Sequence, residues 1–290
     1  MLPKMTIDWR KSLQDPTSWV VALGIALAGL HLTIVDLSKE LNLMSLSILA
    51  WLAIASMLWD KREDISFKSG VFSSFLGATL IVFMLLRSLS SSGYHLTFFP
   101  LVSGVAMALI ASGIKQIKQY WKELVILTIL AATPIFTSLL QLINLPTLTA
   151  KFSNASLWLL GFQSYREGIY LILPTGRVEV GEACSGIESI LLMFFIAILF
   201  LFMIPLNRLQ QIICVVLGVL LGFIINSIRV CILALLVAFS NKQSFDYWHG
   251  DDGSLIFALS SVFIFGIFCW LVYIRPMTLT SESEENIDIE

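Results

Sequence analysis

The sequence predicts an all-α, polytopic membrane protein of about eight transmembrane helices, and three observations lead there. Of 290 residues, 57% are hydrophobic and only 13% charged, with a mean hydropathy of +0.87. That is far too apolar for a soluble domain of this length. Apolar runs of about 20 residues, the length that crosses a bilayer, recur from end to end with short polar breaks. Finally, Lys and Arg alternate between rich and poor loops, which orients the runs.

The runs fall at 17–37, 42–59, 69–88, 97–114, 123–145, 187–205, 211–238 and 255–274. The first is long for the apolar part of a secretory signal, and the chain after it is itself membrane-bound, so it reads as a retained span. The N-terminus (Lys4, Arg10, Lys11), the second-to-third loop (Lys61, Arg62, Lys68) and the fourth-to-fifth loop (Lys115, Lys118, Lys122) are cation-rich. The loops between them carry only Lys39 and Arg87. By the positive-inside rule both termini are cytoplasmic, and segments 146–186 and 239–254 face outward. The expected location is the inner (plasma) membrane.

No internal repeat or low-complexity linker divides the chain, so 1–290 is expected to form a single membrane domain. Within it, 1–145 is a scaffold of helices with few intramembrane polar groups, and 146–274 is the half that carries chemistry. Residues 275–290 form an acidic tail, read as a solvated, disordered cytoplasmic end. The segment 146–186 is too long for a plain turn and too apolar for a disordered one. In it, 155–162 suits a short interfacial helix with Trp158 at the headgroups. Ile169–Leu173, the turn residues Pro174 to Gly176, and Val178–Val180 suit a small hairpin that delivers the chain to Cys184. This segment either shapes a substrate site or merely covers the helix ends.

Of the cysteines at 184, 214, 231 and 269, the last three lie inside apolar runs, where a thiol behaves as a small hydrophobe. No CxxC pair and no metal-ligand spacing occurs, so neither a disulfide framework nor a metal or other cofactor is expected. Cys184 differs: Glu182, Ala183, Cys184, Ser185, Gly186, Ile187 and Glu188 lead straight into the sixth run. Ser185 with Glu188 has the form of a capping box, which would leave Cys184 just outside a helix N-terminus, where the dipole favours a thiolate. The alternative is a semi-buried structural cysteine beside a capped helix.

Arg229, in Asn226-Ser-Ile-Arg229, interrupts the apolar run from Ile212 to Phe239. An Arg at the centre of a span costs at least about 2.5–3.5 kcal/mol, so such residues face the bundle interior and find a partner. Counting about 1.5 Å per residue from Gln211 places Arg229 roughly 27 Å up, near the outer boundary of a core about 30 Å thick and level with Cys184. Snorkelling to the headgroups, or pairing with Glu182 or Glu188, is the plainer reading. His249, in Tyr247-Trp-His-Gly-Asp251, precedes the eighth run on the same side and is the side chain type that most readily exchanges a proton near neutral pH. His31 and His95 lack such company. Asp251 and Asp252 fit helix N-capping better than cation binding. A nucleophilic thiol, a proton carrier and a fixed positive charge are the parts acyl transfer needs.

Glu182-Ala-Cys-Ser-Gly186, Asn226-Ser-Ile-Arg-Val230, and His249 with Gly253 together resemble the exosortase and archaeosortase family, in its bacterial exosortase form and within that the cyanobacterial branch. The resemblance runs from about Val178 to Trp270. It implies a membrane enzyme with Cys184, Arg229 and His249 as its triad, supported by Glu182, Ser185, Gly186 and Asn226. Its expected partners are exported proteins with a C-terminal tripartite signal: a Pro-Glu-Pro-like motif, a transmembrane helix and a basic end. Beside the bilayer, a lipid- or glycan-linked acceptor would complete a transpeptidation, and water a hydrolysis; no nucleic acid is expected. Competing readings are a transporter, which should show inverted repeats or a polar path across the membrane, a polysaccharide-export assembly subunit, and a thiol-dependent membrane acyltransferase.

Overall fold

The computed structural model describes residues 16–88 and 94–276. Lys4, Arg10, Lys11, the side chain of His95 and the acidic tail from Ser281 to Glu290 lie outside the described residues. The chain divides into two compact units, Met1–Pro134 and Ile135–Glu290.

The first unit holds helices α1 (Pro16–Ser38), α2 (Leu41–Asp60), α3 (Val71–Ser88) and α4 (Tyr94–Ser112), a 3-10 segment Ile114–Tyr120, and α5 (Trp121–Ala131). Pro100 lies inside α4. It has no N–H to give the carbonyl four residues back, so the Leu96 oxygen is released inside an apolar bundle, where an unmet carbonyl is costly. His31 meets it: its Nε2 lies 3.1 Å from that oxygen. The Trp51 indole N–H, which can only donate, reaches His31 Nδ1 at 3.2 Å, which leaves the proton on Nε2 to be donated to Leu96. His31 is fully buried and stacks on Phe99. The histidine read as having no company is thus a satisfied core residue that repairs a proline break. Pro134 repeats the pattern, because the Leu130 carbonyl it releases accepts from the Thr133 hydroxyl at 2.6 Å. At the α2–α5 end, Lys61 Nζ sits 2.8 Å from Glu123, donates to the Gln119 carbonyl at 2.6 Å and overlies the Tyr120 ring.

The second unit takes up the chain within α6 (Thr133–Gln141), which leads to α7 (Leu145–Leu159). Asn144, in the left-handed region, caps α7 by accepting from the Thr147 N–H. Where a short helix over 155–162 was expected, α7 runs 15 residues and stops at Leu159, before left-handed Gly161. Three strands follow, one more than the hairpin predicted: β1 (Tyr165–Glu167), β2 (Tyr170–Leu173) and β3 (Gly176–Glu179), antiparallel in that order. Leu173 pairs with Gly176 across the turn. The buried side chains Leu171, Leu173, Val178 and Val180 form one cluster with Ala150, Leu157, Cys184, Val230 and Leu233. A 3-10 turn Glu182–Cys184 then enters α8 (Ile187–Met203). After it come α9 (Arg208–Ala238), α10 (Lys242–His249) and α11 (Asp251–Cys269), the last continued by a π turn over Trp270–Ile274.

By length and apolarity, five helices among the described residues can cross a membrane: Thr17–Ser38, Leu41–Asp60, Val71–Ser88, Arg208–Ala238 and Asp251–Ile274. A sixth is added if Ile114–Ala131 and Thr133–Gln141, bent by 46°, act as one span, while Leu96–Ser112 and Ile187–Met203 are apolar but shorter. The chain is a multi-pass, all-α membrane protein with one small sheet.

Candidate active site

Close helix packing places the site. Gly218, Gly222 and Asn226 recur every four residues and so form one stripe on α9. A Cβ at Gly222 would meet the Ser189 carbonyl oxygen of α8 at 2.6 Å, and one at Gly218 the Met193 oxygen at 3.1 Å. Only small residues let two backbones approach like this. The stripe ends at Asn226, and a Cβ at Gly186 would lie 2.8 Å from its Nδ2. The spacing Gly218-x-x-x-Gly222 was legible as a packing motif, and the sequence reading passed over it.

Cys184 ends the 3-10 turn, with its N–H donating to the Gly181 carbonyl at 3.1 Å. The expected capping box does not form. Ser185 is in the right-handed helical region, not the extended one an N-cap needs, and Gly186 at φ 91° takes the N-cap position with no side-chain cap. The Ser185 hydroxyl instead donates to the Glu182 carbonyl at 2.6 Å. Glu182 itself is exposed and accepts from Gln141. Two buried side chains hold the turn from opposite elements: Asn226 Nδ2 donates to the Cys184 carbonyl at 2.9 Å, and Thr149 Oγ1 to the Ser185 carbonyl at 2.7 Å.

Arg229 is buried on α9, 7% exposed. Its Nε donates to the Trp248 carbonyl at 3.3 Å and its Nη2 to the His249 carbonyl at 2.7 Å, the last residues of α10. Helix C-termini present unmet carbonyls with partial negative charge, a natural seat for a guanidinium. Nη1 belongs to neither bond. The His249 ring is exposed and stacks on Phe245 with centroids 5.3 Å apart. Among the described residues no hydrogen bond joins that ring to Cys184. Gly253 lets the α10–α11 corner close, since a Cβ there would meet Trp248 Cα at 2.5 Å.

Cys184 is 5% exposed, and all four cysteines are buried. Burial pushes the Cys184 thiol up; the nearby Arg229 guanidinium opposes this, and Glu188 adds to it. Burial is the largest of these influences and favours the protonated thiol. The other three are placed by packing: Cys231 donates to the Ser153 carbonyl at 3.4 Å, and Cys214 and Cys269 lie in one buried apolar cluster. What distinguishes Cys184 is that the charge of Arg229 favours its thiolate, which is so for none of the other three. Among the described residues no group of three His, Cys, Asp or Glu side chains converges as metal ligands do. Thr149 and Ser153 carry no sequence motif, and their hydroxyls gain meaning only from the carbonyls they meet.

Residues 39–266, well over half of the chain and including Cys184, Arg229 and His249, match the family model described as transmembrane exosortase. No curated protein and no solved structure matches. The chain belongs to the transmembrane exosortase family.

Proposed function

We propose that this protein is a cysteine transpeptidase or protease of the inner membrane that cleaves the C-terminal sorting signal of exported proteins at the membrane's outer face. The observation that carries the reading is α9, on which Asn226 donates to the Cys184 carbonyl and, three residues on, the buried Arg229 grips the backbone of His249. All eight apolar helical segments cross the membrane in this reading, with both termini cytoplasmic. Helix α9, with 31 residues, is about 46 Å long against a core of about 30 Å. Entering near Arg208 on the cytoplasmic side, it brings Arg229 to the outer boundary, where an exported substrate leaves the lipid.

The chemistry follows from the parts. His249 takes the proton of the Cys184 thiol, and the sulfur attacks the substrate carbonyl. Charge that develops on the carbonyl oxygen faces Arg229, whose Nη1 is outside the two backbone bonds. The C–N bond breaks, the amine leaves with the proton from His249, and a thioester to Cys184 remains. An amine of a lipid- or glycan-linked acceptor then forms a new amide and returns the thiol; water in its place gives a free carboxylic acid.

The test is co-expression of a protein bearing a tripartite C-terminal signal with the native chain, Cys184→Ala or Cys214→Ala, following substrate size on a gel. Processing is expected with native protein and Cys214→Ala and absent with Cys184→Ala. Processing that persists in Cys184→Ala overturns the reading in favour of an export-assembly or transport role.

A further inference from the structure

Thr149 and Ser153 lie one helical turn apart on one face of α7 and are both fully buried. Their hydroxyls reach into different elements. Thr149 Oγ1 donates to the Ser185 carbonyl at 2.7 Å, immediately after Cys184. Ser153 Oγ donates to the Ser227 carbonyl at 3.1 Å, two residues before Arg229 on α9, and the Ser153 carbonyl in turn accepts from the Cys231 thiol. Ala150 and Leu157 of the same helix pack in the cluster that contains Cys184 and Val230. One helix is therefore bonded to the nucleophile turn and to the Arg-bearing helix at once.

The nucleophile turn is held at two consecutive carbonyls, Cys184 by Asn226 and Ser185 by Thr149. Neither peptide plane can rotate without stranding a buried carbonyl that has no water to turn to. The direction of the Cys184 side chain is thereby set from two sides. Resting on the proposed cysteine chemistry, we infer that α7 is a positioning element, with Thr149 and Ser153 as positioning residues that keep Cys184 in register with Arg229. The segment 146–186 is then a brace of the site rather than a cover over helix ends.

The test uses the full chain in membranes with a tail-signal substrate and four variants: Thr149→Val, Thr149→Ser, Ser153→Ala and Cys184→Ala. Thr149→Val keeps the volume but removes the donor. It is expected to slow processing roughly tenfold to a hundredfold, the scale of a misplaced reacting group, while the amount of folded protein stays at the native level. Thr149→Ser restores the rate, and Ser153→Ala slows it less than Thr149→Val. A second readout is the pH at which Cys184 is alkylated, followed by mass spectrometry of its peptide. In Thr149→Val this pH rises, because the thiol drifts from Arg229; a loss of packing alone leaves it unmoved. Native processing in both Thr149→Val and Ser153→Ala overturns the inference, as does an unmoved alkylation profile or failure of Thr149→Ser to restore the rate. If Cys184→Ala still processes substrate, the cysteine reading itself fails; if only the α7 variants behave as native, that reading stands and the brace does not.

Discussion

In the first unit, buried polar side chains close gaps that the fold opens: His31 and Thr133 donate to the carbonyls released by Pro100 and Pro134, and Lys61 neutralises Glu123. In the second, buried polar side chains tie the elements of the site together: Asn226 and Thr149 donate to the two consecutive carbonyls of the Cys184 turn, Ser153 to a carbonyl of α9, and Arg229 to the end of α10. The elementary chemistry is the same in both, a donor for a carbonyl with no water to turn to. The difference lies in what is held. A donor that repairs a helix stabilises the unit; a donor that orients a turn beside a thiol sets a reactive geometry. Polar burial in a membrane protein therefore marks function only when several donors fix the same short stretch of backbone.

That contrast can be broken most forcefully at Lys61. Glu123 is nearly fully buried, and Lys61→Met leaves its charge without a partner, which should cost about 3 kcal/mol. A large fall in the thermal unfolding midpoint in detergent is expected, with Cys184 in the remaining folded protein processing substrate at the native rate. Parallel loss of specific activity would show that the first unit also sets the site. Next in size is Gly222→Leu. Its Cβ would meet a backbone oxygen at 2.6 Å that cannot swing aside, so about 1–3 kcal/mol is lost as α8 and α9 separate. Here stability and processing should fall together, because the same packing carries Asn226 to the turn. Processing retained at the native rate in the folded fraction would detach the turn from the glycine stripe.

The smallest effect sharpens the contrast electrostatically. Burial holds the Cys184 thiol above the ordinary range and Arg229 partly reverses this. Arg229→Met removes the opposing influence, so alkylation of Cys184 should begin at a higher pH than in the native protein. The sign for stability follows. A thiol whose folded value is raised favours the folded state fully below the ordinary thiol range, and that contribution fades as pH rises through the folded value. An alkylation profile unchanged by Arg229→Met would place the guanidinium too far away to matter.

Much of this was legible because lipid imposes long-range rules on short stretches of sequence. Apolar runs marked where helices lie, and an Arg within one of them announced an unusual environment before any partner was known. Legibility failed where a residue's part depends on a neighbour distant in the chain. Ser185 and Glu188 had the spacing of a capping box, yet the turn made at Gly186 put Ser185 in a helical conformation and gave its hydroxyl to Glu182. His31 looked idle because the carbonyl it serves is 65 residues away. Cys184 stood out as a thiol at a helix end, but that Val180, Val230 and their neighbours bury it, which favours the protonated form, depends on residues far apart in the chain.

The sequence by itself determined the class of protein, the helical segments and the family, because hydropathy and motif spacing are properties of contiguous residues. Only the tertiary structure decided that Arg229 grips the carbonyls of Trp248 and His249, that Asn226 and Thr149 hold the Cys184 turn, and that a third strand joins the hairpin. Those hydrogen bonds end on backbone carbonyls, which every residue carries, and which carbonyl meets which donor is settled by packing alone.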